Sequence, residues 1–252
     1  MTFPVENMII LDCVDSTNNY AMAQIKNGGP DAGKPVLALE QTGGKGRRSK
    51  NWKSNKGENI LLSIPVKVQW LTVSQQFHLS AAVALACYDL ISQTILANIF
   101  IKWPNDLFIN DKKTAGVLIE TILRGTIWQW AIIGIGMNIN QVNFEELNST
   151  ATSFRKETGD SYEVLLLAKR LHELVLNRIM QLKNGHFEQI LIEYNEHLYG
   201  RGRKVMLKKQ ESLLETEIVA VSSSGKLLTK DSIKRAFDFD EVEFKGIVKS
   251  ET

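Results

Sequence analysis

A glycine-rich basic segment, QTGGKGRRSKNWKS at residues 41–54, lies between two strand-like runs, PVLALEQT and NILLSIPV. A nucleotide-binding P-loop needs GxxxxGK[ST] between a strand and a helix, so neither the spacing nor the following strand fits one. The segment is therefore predicted to connect two strands. It holds several cations and no acidic residue between Glu40 and Glu58, which indicates an anion-binding loop.

The residue types of this basic loop suit a small anion. Its closely spaced glycines are Gly43, Gly44 and Gly46. Without side chains there, backbone amides can form an anion nest. Arg47 and Arg48 offer forked donors, and Trp52 offers a flat apolar face. A solvated loop and a nucleic-acid-binding patch are the alternatives, but the net charge is only +2 and does not indicate a basic surface.

Hydrophobic periodicity predicts an α+β fold. NMIILDCV is typical of a buried strand, and DSTNNYAMAQIKNGG of a helix that begins near Ser16 or Thr17 and stops at Gly28. Residues 73–94, 162–182 and 187–198 have helical spacing. IFIKWPNDLFI and KTAGVLIETIL are joined by the turn-forming pair Asn110-Asp111, and WQWAIIGIGMNIN follows. Because hairpins dominate, we expect a mixed sheet backed by helices.

The sequence pattern changes from helical to strand-like after the Gly200-Arg201-Gly202 segment. Four short strand candidates follow, KVMLKK, LLETEIVAV, KLLTK and EVEFKG. They predict a small all-β barrel of about fifty residues, near the lower limit of independent stability. We therefore expect two domains, residues 1–199 and residues 200–252.

Composition and cysteine usage predict a cytoplasmic protein. Apolar residues make up 44% and charged residues 23% of the 252 residues, which is ordinary for a soluble domain. The N-terminus lacks a secretory pattern, and no apolar stretch is long enough to span a bilayer. Cys13 and Cys87 each lie in an apolar stretch and are predicted to be buried free thiols. The four histidines show no paired metal-ligand spacing.

Three further stretches combine polar residues with breaks in strand pattern. In KWPNDL, Pro104 interrupts a strand beside Lys102, Asn105 and Asp106. Lys113 lies in KKTAGVLIE, one residue before the start of a small-residue strand. GIGMNIN lacks the third glycine of a dinucleotide fingerprint. Taken singly, each stretch is also compatible with an ordinary structural role.

Together these stretches resemble biotin protein ligases. DSTNNYA, QTGGKGRRSKNW, KWPNDL, KKTAGVLIE and GIGMNIN occur in the order and at about the spacing of that family, over nearly the whole chain. The resemblance implies a catalytic domain like that of class II aminoacyl-tRNA synthetases and biotin ligases, with a small SH3-like C-terminal barrel. It also implies that ATP activates biotin to biotinyl-5′-adenylate and that biotin then passes to a lysine of a biotin carboxyl carrier domain.

The resemblance assigns roles to particular residues. For biotin they are Ser16, Thr17, Asn18, Gln41, Gly44, Lys45, Gly46, Arg47, Lys113 and Gly116. For ATP and the adenylate they are Lys45, Arg47, Arg48, Lys50, Trp52, Asn105 and Asn138. The catalytic residues would be Lys113, Arg47 and Asp106. Mg²⁺ is the implied metal, with Asp106 as its ligand.

The chain departs from the commonest GRGRRGR pattern of the family. It has Lys45 and Lys50 in place of arginines and Ser49 in place of a glycine. A lysine keeps the charge but loses the bidentate fork, which predicts looser retention of the adenylate. The sequence begins almost directly with the catalytic domain, so we expect a short form that does not bind DNA or a membrane.

Other assignments stay open at this point. Both a monomer and a homodimer are compatible with the sequence. A lipoate ligase shares the fold and the adenylation chemistry, a non-catalytic nucleic-acid-binding module could use the basic loop, and a biotin-binding regulator could have lost turnover. The sequence does not identify the carrier protein.

Overall fold

A computed structural model describes residues 8–49, 51–144 and 150–248. The strands of the larger sheet are β1 (Ile9–Val14), β2 (Val36–Gln41), β3 (Asn59–Lys67), β4 (Ile99–Lys102), β5 (Asp106–Ile109), β6 (Lys112–Arg124) and β7 (Ile127–Asn138). The helices are α1 (Thr17–Asn27), α2 (Gln76–Thr94), α3 (Phe154–Thr158), α4 (Val164–Lys183) and α5 (Phe187–Glu196). The C-terminal strands are β8 (Lys204–Lys209), β9 (Ser212–Val221), β10 (Leu227–Lys230), β11 (Lys234–Phe237) and β12 (Glu243–Ile247).

The larger sheet is mixed, as the sequence predicts. Its strand order is β1-β2-β3-β7-β6-β5-β4, and β1 and β2 are parallel while the other pairs are antiparallel. Asn110 and Asp111, with φ of 46° and 65°, form the tight connection between β5 and β6. Positive φ at both central residues is what a short hairpin turn requires.

The two faces of this sheet have different coverings. On one face, Ile133 of β7 and Leu37 of β2 belong to the main apolar core with the buried residues of α2, α4 and α5. On the other face, Ile132 and Val36 pack against Ala21 of α1. Because side chains alternate along a strand, neighbouring residues serve opposite layers. Helix α1 covers only part of the sheet face against which it packs, and the rest of that face is left for a cavity.

Helix α1 begins and ends where the sequence predicts. Ser16 is the N-cap, with an extended φ of −155°, and Gly28 is the C-cap, with a left-handed φ of 62°. A left-handed residue ends a helix at little cost when it is glycine. The following helix prediction, residues 73–94, contains a 3₁₀ turn, Val73–Gln75, before α2 starts at Gln76.

A second, five-stranded antiparallel sheet forms the C-terminal part, in the order β11-β10-β9-β8-β12. We call it the C-terminal sheet. Strand β11, KRAF, escapes the sequence prediction because it is short and two of its four residues are charged. The C-terminal sheet contacts the larger part through polar bonds: Trp103 Nε1 donates to the carbonyl of Gly225 at 2.9 Å, and Asn195 Nδ2 to that of Val221 at 3.0 Å. The domain boundary at residue 199 stays a prediction.

One cysteine prediction is confirmed and the other is wrong. Cys87 on α2 is buried, and burial raises the pKa of its thiol. Cys13 is exposed. It lies on β1, the edge strand of the larger sheet, where an apolar local sequence does not ensure a covered side chain. Among the described helices, none is both long and apolar enough to cross a membrane.

Candidate active site

The predicted site residues come together around one cavity of about 490 Å³ on the α1 side of the larger sheet. Those that line it are Ser16, Thr17, Asn18, Gln41, Lys45, Gly46, Arg47, Arg48, Trp52, Asn105, Asp106, Lys113, Gly116 and Asn138. Gly44 is not among the lining residues, and Lys50 lies outside the described residues. Residues as far apart in the sequence as Ser16 and Asn138 thus share one cavity.

Glycines form the floor of the cavity. Gly116 of β6 pairs with Gly136 of β7. A Cβ atom at Gly136 would lie 2.4 Å from the indole of Trp52, closer than real atoms approach. A Cβ atom at Gly134 would lie 2.6 Å from Oδ1 of Asn18. The absence of side chains therefore lets the indole and the amide lie directly on the sheet.

A buried polar network occupies the α1 end of the cavity. The backbone N–H of Thr17 donates to Oε1 of Gln41 at 2.8 Å. Ser63 Oγ lies 2.8 Å from Thr17 Oγ1 and 2.5 Å from Asn18 Oδ1. Asn18 Nδ2 donates to Oε2 of Glu120 at 2.8 Å. This end of the cavity is therefore preorganised to exchange hydrogen bonds with a polar ligand.

The sequence reasoning missed Ser63 and Glu120. Ser63 is a hydroxyl within the otherwise apolar strand NILLSIPV, and that contrast is a signal that could have found it. Glu120 accepts from Asn18 and lies 3.6 Å from the Nζ atom of Lys45. Nothing in the local sequence of β6 indicates these contacts, because they depend on how α1 and the basic loop pack on the sheet.

Two glycines of the basic loop, Gly43 and Gly44, serve backbone packing. The Gly43 amide donates to the carbonyl of Asp15 at 2.8 Å, so the prediction that it faces a ligand is wrong. Trp52 N–H donates to the carbonyl of Gly44 at 2.9 Å. A Cβ atom at Gly44 would lie 2.4 Å from the Trp52 carbonyl oxygen. Gly44 therefore permits the close chain approach that places the indole in the cavity.

The two arginines of the loop reach across the cavity. Arg47 Nη1 donates to Oδ1 of Asn105 at 3.2 Å, and its Cζ lies 4.0 Å from the ring centre of Phe239. Arg48, at a φ of 53°, donates to the carbonyl of Phe239. Burial and then the like charge of Arg48 lower the pKa of Arg47, while the Asp106 carboxylate acts in the opposite direction. A guanidinium still keeps its charge at neutral pH.

Lys113 and Asp106 form an ion pair at the other wall, with Nζ and Oδ1 2.7 Å apart. A register shift between Leu107 and Phe108 separates the two pairings, so that Asp106 pairs with Gly116 and Phe108 with Lys113. Asn105 is bound to β6 through both its side chain and its backbone: its Nδ2 donates to the Val117 carbonyl at 2.7 Å and its carbonyl accepts from Val117 N–H at 2.9 Å. The KWPNDL turn is thus fixed against the strand that carries Lys113.

Other lining residues come from beyond the predicted motifs. Asn138 is buried, and its Nδ2 donates to the carbonyl of Thr152 at 3.0 Å. The C-terminal sheet and its loops contribute Phe239, Glu243 and Phe244 to the lining. No sequence signal pointed to these three, because the pattern of the C-terminal strands indicates their fold and not what they face.

Comparison with known proteins identifies the family. A profile of the biotin/lipoate A/B protein ligase family matches residues 10–138. The chain is 27% identical over 240 residues to the bifunctional ligase/repressor BirA of Bacillus spizizenii, a match that covers 93% of this chain and 73% of the relative. It is 29% identical over 196 residues to the biotin--[acetyl-CoA-carboxylase] ligase of Mycobacterium tuberculosis, which covers 77% of this chain and 71% of the relative.

The fold is also that of a solved structure. Biotin protein ligase from Aquifex aeolicus in complex with biotin and ATP superposes with a TM-score of 0.81 at 23% identity, covering 96% of this chain and 99% of that one. At this identity the likeness concerns the fold, and it confirms the predicted α+β class. The profile match includes all seven strands of the larger sheet and the glycine floor of the cavity, and the chain therefore belongs to the biotin/lipoate A/B protein ligase family.

Proposed function

We propose that this protein is a biotin protein ligase. It joins the carboxylate of biotin to the α-phosphate of ATP and then passes the biotinyl group to a lysine of a carrier domain. The observation that carries the proposal is the meeting of Arg47 and Lys113 with the polar α1 network around one cavity. Relatives named as biotin ligases support the choice of acid.

In the first step a biotin carboxylate oxygen attacks the α-phosphorus of ATP. The new P–O bond forms as the bond to the β-phosphate breaks, and pyrophosphate leaves. Both reactants are anions, so fixed cations must offset their repulsion and the charge of the transition state. Lys113 is held by Asp106 at 2.7 Å on one wall, and Arg47 is held by Asn105 at 3.2 Å on another. These contacts preorganise both cations before substrate arrives.

The α1 end of the cavity supports binding of the biotin ring system. The ureido group of biotin has N–H donors and a carbonyl acceptor, and Thr17 and Asn18, which line the cavity, offer a hydroxyl and an amide as partners for them. Ser63 lies behind these two residues and bonds to both of them. A site built to hydrogen-bond a polar ring discriminates strongly against an acid that lacks it. This feature favours biotin over lipoate, whose dithiolane ring has no comparable donors.

The other end of the cavity suits the nucleotide. The Trp52 indole lies on the glycine floor, where its face can cover a heterocyclic base. Arg47 and Arg48 supply forked donors for the phosphate, and Asn138 supplies a buried amide. In the second step, the carrier lysine nitrogen attacks the acyl carbon of the adenylate, AMP leaves with the bonding electrons, and the amine loses a proton. We assign Asp106, which lines the cavity, the role of orienting that amine.

Mg²⁺ would accompany ATP. No three His, Cys, Asp or Glu side chains of the described ranges lie close enough together to hold a metal by themselves. Mg²⁺ commonly binds through one or two carboxylates together with substrate phosphates. Asp106 on the cavity wall fits that limited role, and the ion would supply positive charge at the phosphates.

The partner in the second step would be the biotin carboxyl carrier domain of a biotin-dependent carboxylase, with both proteins in the cytoplasm. DNA is not expected as a partner, because Lys45, Arg47 and Arg48 line the cavity and the net charge of the chain is only +2. We propose a monomer or a homodimer.

Mass spectrometry of a biotin carrier domain tests the proposal. The carrier, ATP, Mg²⁺ and either biotin or lipoate are incubated with the protein, and pyrophosphate exchange with ATP is followed in parallel. A mass increase on one lysine with biotin alone is expected. Lipoylation without biotinylation would replace the proposal with a lipoate ligase, and no transfer with either acid would refute it.

A further inference from the structure

We propose that Phe239, in the loop between β11 and β12, is a positioning residue that holds Arg47 in place over the adenylate. Retention of the adenylate then depends on the C-terminal sheet as well as on the basic loop. This inference rests on the proposed function, because it assigns a role within the same site. Its basis is a set of contacts that join one residue of the C-terminal part to two consecutive arginines.

Phe239 contacts both arginines, each in a different way. Its ring lies 4.0 Å from the Cζ atom of Arg47, which is the geometry of a cation–π contact. Its backbone carbonyl accepts a hydrogen bond from Arg48. The ring and the carbonyl are chemically independent, so a change of side chain removes the first contact and leaves the second.

The exposure of Phe239 indicates that core packing does not account for a phenylalanine at this position. Its side chain is 49% exposed, whereas Phe237, two residues earlier, is 4% exposed and belongs to the apolar core. A large apolar side chain at a half-exposed loop position contributes little to the core of the C-terminal sheet. It does line the cavity, where its neighbour is the Arg47 guanidinium.

Arg47 is thereby held from two directions. Nη1 donates to Oδ1 of Asn105 at 3.2 Å, and Cζ of the guanidinium lies over the Phe239 ring, 4.0 Å from its centre. A guanidinium has five N–H donors, so most remain available for a phosphate or carboxylate oxygen. Fixing the plane of the group directs those donors and reduces the entropy lost when they bind the adenylate. Removing the ring leaves Arg47 charged and held by the hydrogen bond to Asn105 alone.

Substitutions at position 239 separate the ring from the bulk of the side chain. Phe239→Leu keeps an apolar side chain without a π face, and Phe239→Tyr keeps the ring. Ile233→Ala is the control, since Ile233 is a 55% exposed apolar residue of the turn between β10 and β11 that does not line the cavity. Each variant is loaded with biotin and α-labelled ATP, desalted, and followed for release of the labelled adenylate and for biotinylation of serum albumin.

We expect the adenylate to leave Phe239→Leu about 2- to 30-fold faster than the unsubstituted protein, the range that one cation–π contact can supply. Biotinylation of albumin should rise in parallel, while Phe239→Tyr and Ile233→Ala should retain the adenylate. The release rate is measured on adenylate already formed, so it does not depend on how fast each variant makes it. Equal release from Phe239→Leu and the unsubstituted protein would overturn the inference.

A double-mutant cycle with Arg47→Gly shows whether Phe239 slows adenylate release through Arg47 or by contacting the adenylate itself. If Phe239 acts through Arg47, adding Phe239→Leu to Arg47→Gly should change release no further. A full additional increase would show that the ring contacts the adenylate itself and would reject the positioning role. Failure of the unsubstituted protein to form any biotinyl-adenylate would instead refute the proposed function, so the two failures are distinguishable.

Discussion

The Nζ atom of Lys113 lies 2.7 Å from Oδ1 of Asp106, and both atoms lie within 3.4 Å of the position that a Cβ atom at Gly116 would occupy. The pair therefore sits on the glycine floor, where a bound carboxylate could replace Asp106 as the partner of the ammonium. Because the cation is already held on the wall of the cavity, little reorganisation is needed when the substrate arrives.

Lys113→Ala should lower the rate of biotin-dependent pyrophosphate exchange by about 10²- to 10³-fold, the effect of removing one preorganised group from a charged transition state. Lys112→Ala is the matched control. Lys112 is the preceding residue of the same strand and does not line the cavity, so its loss should leave exchange near the unsubstituted rate. Full-rate exchange by Lys113→Ala would remove this side chain from the reaction.

Gly44→Ala should weaken binding of biotin and ATP, whereas Gly43→Ala should not. At Gly44 the added Cβ would lie 2.4 Å from the Trp52 carbonyl oxygen, a backbone atom that moves only with the loop. At Gly43 it would lie 3.4 Å from the Asp15 carbonyl oxygen, which is nearly ordinary contact. Isothermal titration with each ligand measures the difference. Equal affinities for the two variants would contradict a need for close chain approach at Gly44.

Local signals in the sequence predicted the fold well where they act within one element. Helix α1 begins after the N-cap Ser16 and ends at the C-cap Gly28, as expected, and Asn110-Asp111 forms the β5–β6 turn. The failures have a different cause. The exposure of Cys13 depends on β1 being an edge strand, which is a property of the sheet order and not of the local pattern.

The candidate site was predictable only in part, and through the resemblance more than through pattern. Spacing did not show that Asp106 would pair with Lys113, because that contact depends on the register shift in β5. Nor did it show that Phe239 would reach Arg47, because that contact depends on how the C-terminal sheet packs against the basic loop. Contacts between distant segments are set by tertiary packing, which a single sequence does not display.

Stability should decrease as the pH falls from about 7.5 to about 5.5, in part through His172. Burial lowers the pKa of His172 below its ordinary value of 6.5, and Glu173 opposes this shift only partly. Its Nδ1 atom has no hydrogen-bond partner among the described residues. The unfolded chain therefore binds a proton more readily than the folded one, so folding stability is lost as the pH falls below the unfolded pKa.

The test compares urea unfolding of the unsubstituted protein and His172→Leu at about pH 8 and about pH 5.5. The loss with falling pH cannot exceed about 1.4 kcal/mol per pH unit for one histidine. The variant should lose less stability than the unsubstituted protein between the two values. At about pH 8 the histidine is neutral in both states, so any difference there reports packing alone. An identical pH dependence for both proteins would exclude His172 as a contributor.

Arg178→Ala should destabilise the fold by about 2–3 kcal/mol without altering adenylate formation by the folded protein. Arg178 of α4 makes paired bonds of 2.8 Å to Asp89 of α2 and of 2.6 Å to Glu193 of α5, and its side chain is only 12% exposed. Its removal leaves the Asp89 and Glu193 carboxylates, which both bind this one guanidinium, without their shared cation. The free energy of unfolding in urea measures the loss.

Arg170→Ala is the matched control on the same helix. Arg170 pairs with Glu173 at 3.1 Å, but both side chains are more than 40% exposed, at 46% and 44%. Solvent-exposed pairs contribute about 0–1 kcal/mol, so this variant should unfold close to the unsubstituted protein. Equal destabilisation by the two substitutions would mean that the Arg178 network contributes no more to stability than an exposed ion pair, since alanine itself favours the helix. A larger loss for Arg178→Ala assigns it to the half-buried network that ties α2, α4 and α5 together.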